Sequence, residues 1–339
     1  MQEQLLIVHQ GAIGDVILSL PALHTIKSAF PHHFCEALGH PDILTLLINR
    51  FYLNAVVSVH RAMFARLYTN DSLVDPELKA YFSRFDYVFL FGGTAHTAVA
   101  HTISTITAAR VVRIDPFPTS EPRHVVDYQL EQLQQLGFSP STTVPVLFPT
   151  DEDMKKAVQF LASYNLSSAH GPIIAMHPGS GSPRKNWPAE HVIVFLRHII
   201  QRITCTILLI EGPADDHICR RIEHACAGMR LCTVRHLDLS LLAAILKHCT
   251  LYIGNDSGIT HIAAALGVPT IALFGPTNPQ IWAPRGSAVC VLHHRADHEG
   301  WKWPDPDHVL KTVLSMLSGE RQSDHLPGWP RIDKSLFFT

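Results

Sequence analysis

Apolar positions follow two alternating patterns along the chain. Short unbroken apolar runs, "QLLIVH" (4–9), "DYVFLFGG" (86–93), "PIIAMHPG" (172–179) and "CTILLIEG" (205–212), have the length of strands buried on both faces. Longer stretches with an apolar stripe read as helices: "DVILSLPALHTIKSAFP" (15–31), "VDYQLEQLQQLG" (126–137), "PAEHVIVFLRHIIQR" (188–202), "DDHICRRIEHACAG" (215–228), "LSLLAAILKHC" (239–249) and "HVLKTVLSML" (308–317). Strands alternating with helices of about ten residues predict parallel sheets with helical crossovers.

The pattern echoes itself. "LLIVHQGAIGD" (5–15) and "IIAMHPGSGS" (173–182) each run from four apolar residues through a histidine into a glycine-rich loop. A buried strand ending in such a loop before a helix starts a Rossmann-like unit. Two starts predict an α/β protein of two doubly wound domains with a cleft between them. The expected domains are 1–155 and 170–318, with a tail at 319–339. The proline-bearing stretch 140–171 forms the connection, and "TDED" (150–153) within it reads as a capped helix start.

Composition narrows the classes. A length of 339 residues suits two domains, and an apolar fraction of 47% supplies their cores. The net charge of −2 gives no global basic field for nucleic acid, so anion binding has to be local. Seven cysteines form no CxxC pair, and their odd number favours a reducing compartment. The N-terminus lacks a signal-peptide pattern, and no apolar run nears the ~18 residues of a spanning helix. A soluble cytoplasmic protein is expected, which leaves peripheral membrane contact open. The 23 histidines show no HExxH or zinc-finger spacing, so no metal is expected. His217, Cys219, His224 and Cys226 read as ordinary helix residues, and Asp305–Asp307 as the cap of the last helix.

Four motifs carry candidate chemistry. "GAIGD" places Gly11 and Gly14 in a tight loop and Asp15 at a helix start, where it either caps the helix or serves as a general base. "HPGSGSPRKNWP" (177–188) is no Walker A loop, but its glycines and serines expose amides and hydroxyls as an anion nest does, beside Arg184 and Lys185. In "GNDSGITHIAAALG" (254–267), Ser257, Gly258, Ile259 and Thr260 present N–H groups at a helix N-terminus, a ready phosphate site. Asp256 there either caps the helix or accepts from sugar hydroxyls; His261 is either a packing residue or a second donor to the anion. In "EGPADD" (211–216) a strand-end carboxylate could take a ribose, or Asp215 and Asp216 simply open a helix. Together the motifs describe a cleft for a nucleotide diphosphate carrying a polyol.

These motifs, in this order, resemble the ADP-heptose:lipopolysaccharide heptosyltransferases, glycosyltransferase family nine. "GAIGDVILSLPALHTIKSAFP" is similar to the family's N-terminal signature, "HPGSGSPRKNWP" to its donor loop, and "GNDSGITHIAAALGVPTIALFGPTNPQIWAPRG" to its C-terminal signature. The resemblance spans roughly residues 5–315. It implies a GT-B fold, acceptor on the first domain and donor on the second, and an inverting transfer of heptose from ADP-heptose to an inner-core acceptor without cofactor or metal. It implies Asp15 as the base, Lys185 on the donor phosphates and Asp256 on the donor sugar. Ser257, Gly258, Thr260 and His261 surround the diphosphate, Ser180 and Ser182 belong to the donor loop, and Asp215 or Asp216 contacts the ribose. The implied partners are the nucleotide sugar and a glycolipid or oligosaccharide acceptor met at the cytoplasmic face of the inner membrane. Arg61, Arg66, Arg110, Arg113 and Arg123 are candidate readers of acceptor anions. Another nucleotide sugar, a nucleotide-sugar epimerase on the same fold, or a catalytically idle binding module are the alternatives. In the tail, Trp329, Arg331, Lys334, Phe337 and Phe338 are candidates for lipid contact.

Overall fold

The computed structural model describes residues 3–68, 75–119, 122–166, 171–296 and 300–319. The tail residues from 320 onward, with the aromatic and basic candidates among them, lie outside the described residues. Backbone contacts divide the chain into two compact units, 1–148 and 149–339.

The first unit runs β1 (Gln4–His9), α1 (Ile13–Leu18), α2 (Leu20–Ala29), β2 (Phe34–Gly39), α3 (Pro41–Leu44), β3 (Ala55–Ser58), α4 (Ala62–Ala65), α5 (Pro76–Phe82), β4 (Tyr87–Phe91), α6 (Thr97–Ile106), β5 (Arg110–Ile114) and α7 (Val125–Gln135). Its sheet is ordered β3-β2-β1-β4-β5, and every pairing is parallel. Leu6 and Val8 of β1 join Val88 and Leu90 of β4 in a core with Phe64, Phe82 and Ile103. Leu5 and Ile7 point to the other face and are equally buried. That is why the strand is apolar without alternation. The direction of winding reverses between β1 and β4, so the loop after β1, with Gly11 and Asp15, lies at the switch point where ligands of such sheets bind.

One expected helix is two. Residues 15–31 break at Ser19, between α1 and α2. Pro21 sits in the first turn of α2 and has no N–H to continue the ladder of α1. Ser19 fills the gap by donating its hydroxyl to Asp15 O at 2.8 Å.

The second unit runs α8 (Asp151–Ser163), β6 (Ile173–His177), α9 (Ala189–Ile199), β7 (Thr206–Glu211), α10 (Asp216–Ala225), β8 (Leu231–Arg235), α11 (Leu239–Leu246), β9 (Leu251–Asn255), α12 (Gly258–Ala265), β10 (Thr270–Phe274), α13 (Pro279–Trp282), β11 (Val289–Ala296), β12 (Gly300–Lys302) and α14 (Pro306–Ser318). The sheet is ordered β12-β11-β10-β9-β6-β7-β8, parallel except for the antiparallel edge strand β12. Here the winding reverses between β6 and β9. Trp187, Phe195, Ile174 and Val313 anchor the core on the face covered by α9 and α14.

Thr150 and Asp153 close a reciprocal cap on α8, with Thr150 N to Asp153 Oδ2 at 2.8 Å and Asp153 N to Thr150 Oγ1 at 3.1 Å. α8 packs on α11 and belongs to the second unit, and the divide at 148/149 falls within the stretch 140–171. Asp305 caps α14 through Asp307 N at 2.9 Å. Cys219 and Cys226 are buried in the core of this unit.

Candidate active site

Three strand ends meet at the switch point of the second unit. β6 ends at His177, β7 leads into Asp215, and β9 leads into Asn255, Asp256 and Ser257. All five of these side chains are buried polar groups, and burial demands that each find a partner. His177 Nε2 lies 2.9 Å from Asp215 Oδ2, and its Nδ1 lies 3.3 Å from Ser257 Oγ. Asp215 Oδ2 also accepts from Gly212 N at 3.0 Å. Burial pushes the Asp215 carboxyl up, but the His177 hydrogen bond and charge and the Gly212 amide outweigh it, and the group is held below the usual carboxylate range. Gly179 is the residue that permits this approach. A Cβ there would stand 1.9 Å from Asp215 Oδ1.

The donor loop is fastened by a residue that the motif reading passed over. Asn255, 1% exposed, donates from Nδ2 to Pro178 O at 2.8 Å and Gly179 O at 3.2 Å, and accepts from Trp187 N at 2.9 Å. Trp187 in turn donates from Nε1 to Pro304 O at 2.9 Å. Ser180, expected on the donor, shapes the loop: its hydroxyl reaches Ser182 O and Asn186 Oδ1, each at 2.7 Å. Ser182 contributes its carbonyl to Lys185 N at 2.9 Å. Arg184 is exposed, whereas Lys185 turns inward. Lys185 Nζ stands 2.7 Å from Asp256 Oδ2. The same oxygen accepts from Thr277 Oγ1 at 2.8 Å. His261 Nε2 lies 4.0 Å from Asp256 Oδ1.

The question of capping is answered at α12. Asp256 does not cap it, being held by Lys185 and Thr277. Ser257 occupies the N-cap position with extended backbone (φ −147°, ψ 160°), yet its side chain makes no capping bond. Gly258 opens the helix, and Thr260 turns its hydroxyl back to Asn255 O. The start of α12, two residues after Asp256, therefore has no side-chain cap. Between the acidic candidates, Asp216 is half exposed and pairs with Arg220 at 2.7 Å along α10, while Asp215 is 5% exposed and turned to His177. The carboxylate at this strand end thus serves the interior of the site, and Glu211 is likewise committed, to Arg235 Nε at 2.9 Å.

In the first unit Asp15 is the third residue of α1, and one carboxylate oxygen caps the helix start by accepting from Ala12 N at 3.0 Å. Gly14 lies beside it in the same turn. Gly11 is needed for the close turn: a Cβ there would meet Asp15 Cβ at 2.7 Å. His9, fully buried, braces the loop. Its Nδ1 accepts from Gly11 N at 3.2 Å, and its Nε2 lies 3.1 Å from Ser19 Oγ. Of the arginines, Arg66 pairs with Asp75 and Glu77, Arg113 with Asp115, and Arg123 with Glu131, while Arg61 and Arg110 are exposed.

The family model described as glycosyltransferase family 9 (heptosyltransferase) matches residues 106–302, more than half of the chain. The chain belongs to glycosyltransferase family 9. This family-9 glycosyltransferase is 22% identical to lipopolysaccharide heptosyltransferase 2 of Salmonella typhimurium, over 94% of this chain and 99% of that one. Its fold is similar to that of a family 9 glycosyl transferase from Veillonella parvula (TM-score 0.78, 20% identity, 94% and 99% covered). It is also similar to the E. coli ADP-heptose lps heptosyltransferase II (TM-score 0.72, 19% identity, 94% and 99% covered). The GT-B architecture implied by the motifs is thereby established for this glycosyltransferase.

What the site of this transferase can do follows from its parts. A cation, a hydroxyl-bearing loop and the positive end of a helix suit a diphosphate. A buried carboxylate beside them suits the hydroxyls of a sugar. Among the described residues no group of three or more histidines, cysteines or carboxylates is arranged to hold a metal.

Proposed function

We propose that this glycosyltransferase moves heptose from ADP-heptose to a lipopolysaccharide inner-core acceptor with inversion at the anomeric carbon. The observation that carries the donor half is the Lys185–Asp256 pair set beside the uncapped start of α12. The family match and the name of the Salmonella relative favour heptose over other sugars. In this reading Lys185 leaves Asp256 for the donor phosphates, and Asp256 takes sugar hydroxyls. As the anomeric C–O bond to the diphosphate breaks, negative charge grows on the departing ADP. Lys185 and the α12 amides stabilise it, the electrostatic contribution that usually dominates such steps. Asp15 accepts the proton of the acceptor hydroxyl as its oxygen attacks the opposite face, a contribution typically worth about 10²–10⁴-fold. Ser180 and Ser182 keep the loop in shape for this. No helix among the described residues is long and apolar enough to cross a membrane.

Asp15→Asn tests the assignment, because asparagine still accepts from Ala12 N–H and spares the loop. Calorimetry should give ADP-heptose affinity within about twofold of the unchanged protein, while turnover falls at least about a hundredfold. Turnover within a few-fold removes Asp15 as the base. Incubating ADP-heptose with the protein alone, followed by NMR, separates transfer from epimerisation: an accumulating epimer overturns the transferase reading.

A further inference from the structure

The buried chain Asp215–His177–Ser257 takes no part in the steps above, yet it joins the ends of β7, β6 and β9. Its protons can be traced. Asp215 is held as an acceptor-only carboxylate, so the hydrogen of the 2.9 Å bond belongs to His177 Nε2. Nδ1, the other ring nitrogen, lies 3.3 Å from Ser257 Oγ; in the tautomer that carries its proton on Nε2 it is an acceptor, and the serine donates. The neighbouring hydroxyls agree. Thr260 gives its proton to Asn255 O, so in its 3.2 Å contact with Ser257 it takes no donor role.

This direction matters because of where Ser257 sits. Serine with extended backbone at an N-cap ordinarily turns its oxygen onto the second or third amide of the helix. There it would occupy the place of an anion. Here the oxygen is drawn the other way, and no protein acceptor among the described residues reaches the amides of Gly258 and Ile259. We propose that Asp215 and His177 are positioning residues that hold the Ser257 hydroxyl off the α12 amides and so keep this helix end open for the donor diphosphate. The inference rests on the reading of the site as a nucleotide-sugar site. Asp215 fixes the tautomer, His177 supplies the acceptor, and Ser257 is the group restrained.

A double-mutant cycle tests it. His177→Gln keeps an N–H for Asp215 but offers no acceptor where Nδ1 stood, which frees Ser257 to cap. ADP-heptose should bind about tenfold more weakly by calorimetry, the fold-change that one N-cap bond represents. Hydrogen exchange at Ile259 and Thr260 should slow in the absence of any ligand. In a Ser257→Ala background both effects of His177→Gln should vanish, because no hydroxyl remains to close the helix end. His177→Asn, whose oxygen stands near the Nδ1 position, should restore affinity to within a few-fold. Equal losses with and without Ser257 overturn the inference and make the histidine a packing residue. Should the unchanged protein bind no ADP-heptose, the donor reading fails. The exchange rates then still decide the place of the hydroxyl: unchanged or faster exchange in His177→Gln refutes it.

Discussion

Protonating His9 should unravel the first unit. Its ring is buried, and burial first, then the neighbouring His40 charge, lowers its pKa from the ordinary 6.5 to about 4. In the unfolded chain the ring takes a proton near 6.5; in the folded chain it resists until about 4. Between those values the unfolded state binds more protons, so stability falls as pH falls. The full difference, above pH 6.5 compared with below pH 4, is about 3 kcal/mol at 1.36 kcal/mol per pH unit. Below pH 4 this group contributes no further loss. His9→Asn isolates the effect, since asparagine can accept from Gly11 N–H but does not titrate. All five tryptophans lie at position 187 or later, so their fluorescence is blind to this unit. Amide exchange across β1, corrected for intrinsic rates, reads it directly. The protection of residues 5–8 should decline by about 3 kcal/mol more in the unchanged protein than in His9→Asn between pH 6.5 and 4. Parallel curves for the two proteins would refute the buried, neutral imidazole.

Three further expectations concern the second unit. Asn255→Ala leaves Trp187 N–H and the Pro178 and Gly179 carbonyls without their partner and should cost about 2–5 kcal/mol in urea unfolding read by tryptophan fluorescence; a loss under about 1 kcal/mol contradicts the clamp. Gly179→Ala drives Asp215 off His177 and should cost about 3 kcal/mol by the same measurement, while unaltered unfolding means that the carboxylate has room to move. Lys185→Ala should weaken ADP-heptose by about 10- to 100-fold in calorimetry with little change in stability, because the lysine is a third exposed; unchanged affinity removes it from the phosphates.

How much of this was legible in the sequence differs by residue. The strands announced themselves, because β1, β4, β6 and β7 are buried on both faces and so carry no polar interruption. The cap at Thr150–Asp153 was legible because both partners sit within one turn. The break at Ser19 was not, although Pro21 signalled it, since a proline in a first turn reads the same whether a helix starts or continues. Asn255 and His177 were missed as working residues. Their partners come from distant segments, across 38 to 80 positions, and no spacing rule encodes that. The "DD" at 215–216 divided only on burial, one carboxylate inward and one on the surface of α10. The bond of Ser180 to its own loop was not read from the motif, although a hydroxyl two residues from a carbonyl bonds locally first.

The 2.7 Å bridge between Lys185 and Asp256 has a consequence for which molecules the site notices. The Lys185 ammonium is already satisfied, so from a distance the pair reads as a dipole rather than a positive patch, and free phosphate has little to follow inward. A visitor gains only by answering both halves at once, with negative oxygens for the ammonium and hydroxyl protons for the carboxylate. Nucleotide alone answers one, free sugar the other. In the donor site proposed above, the bridge would act as an AND gate that favours the intact donor over either of its fragments.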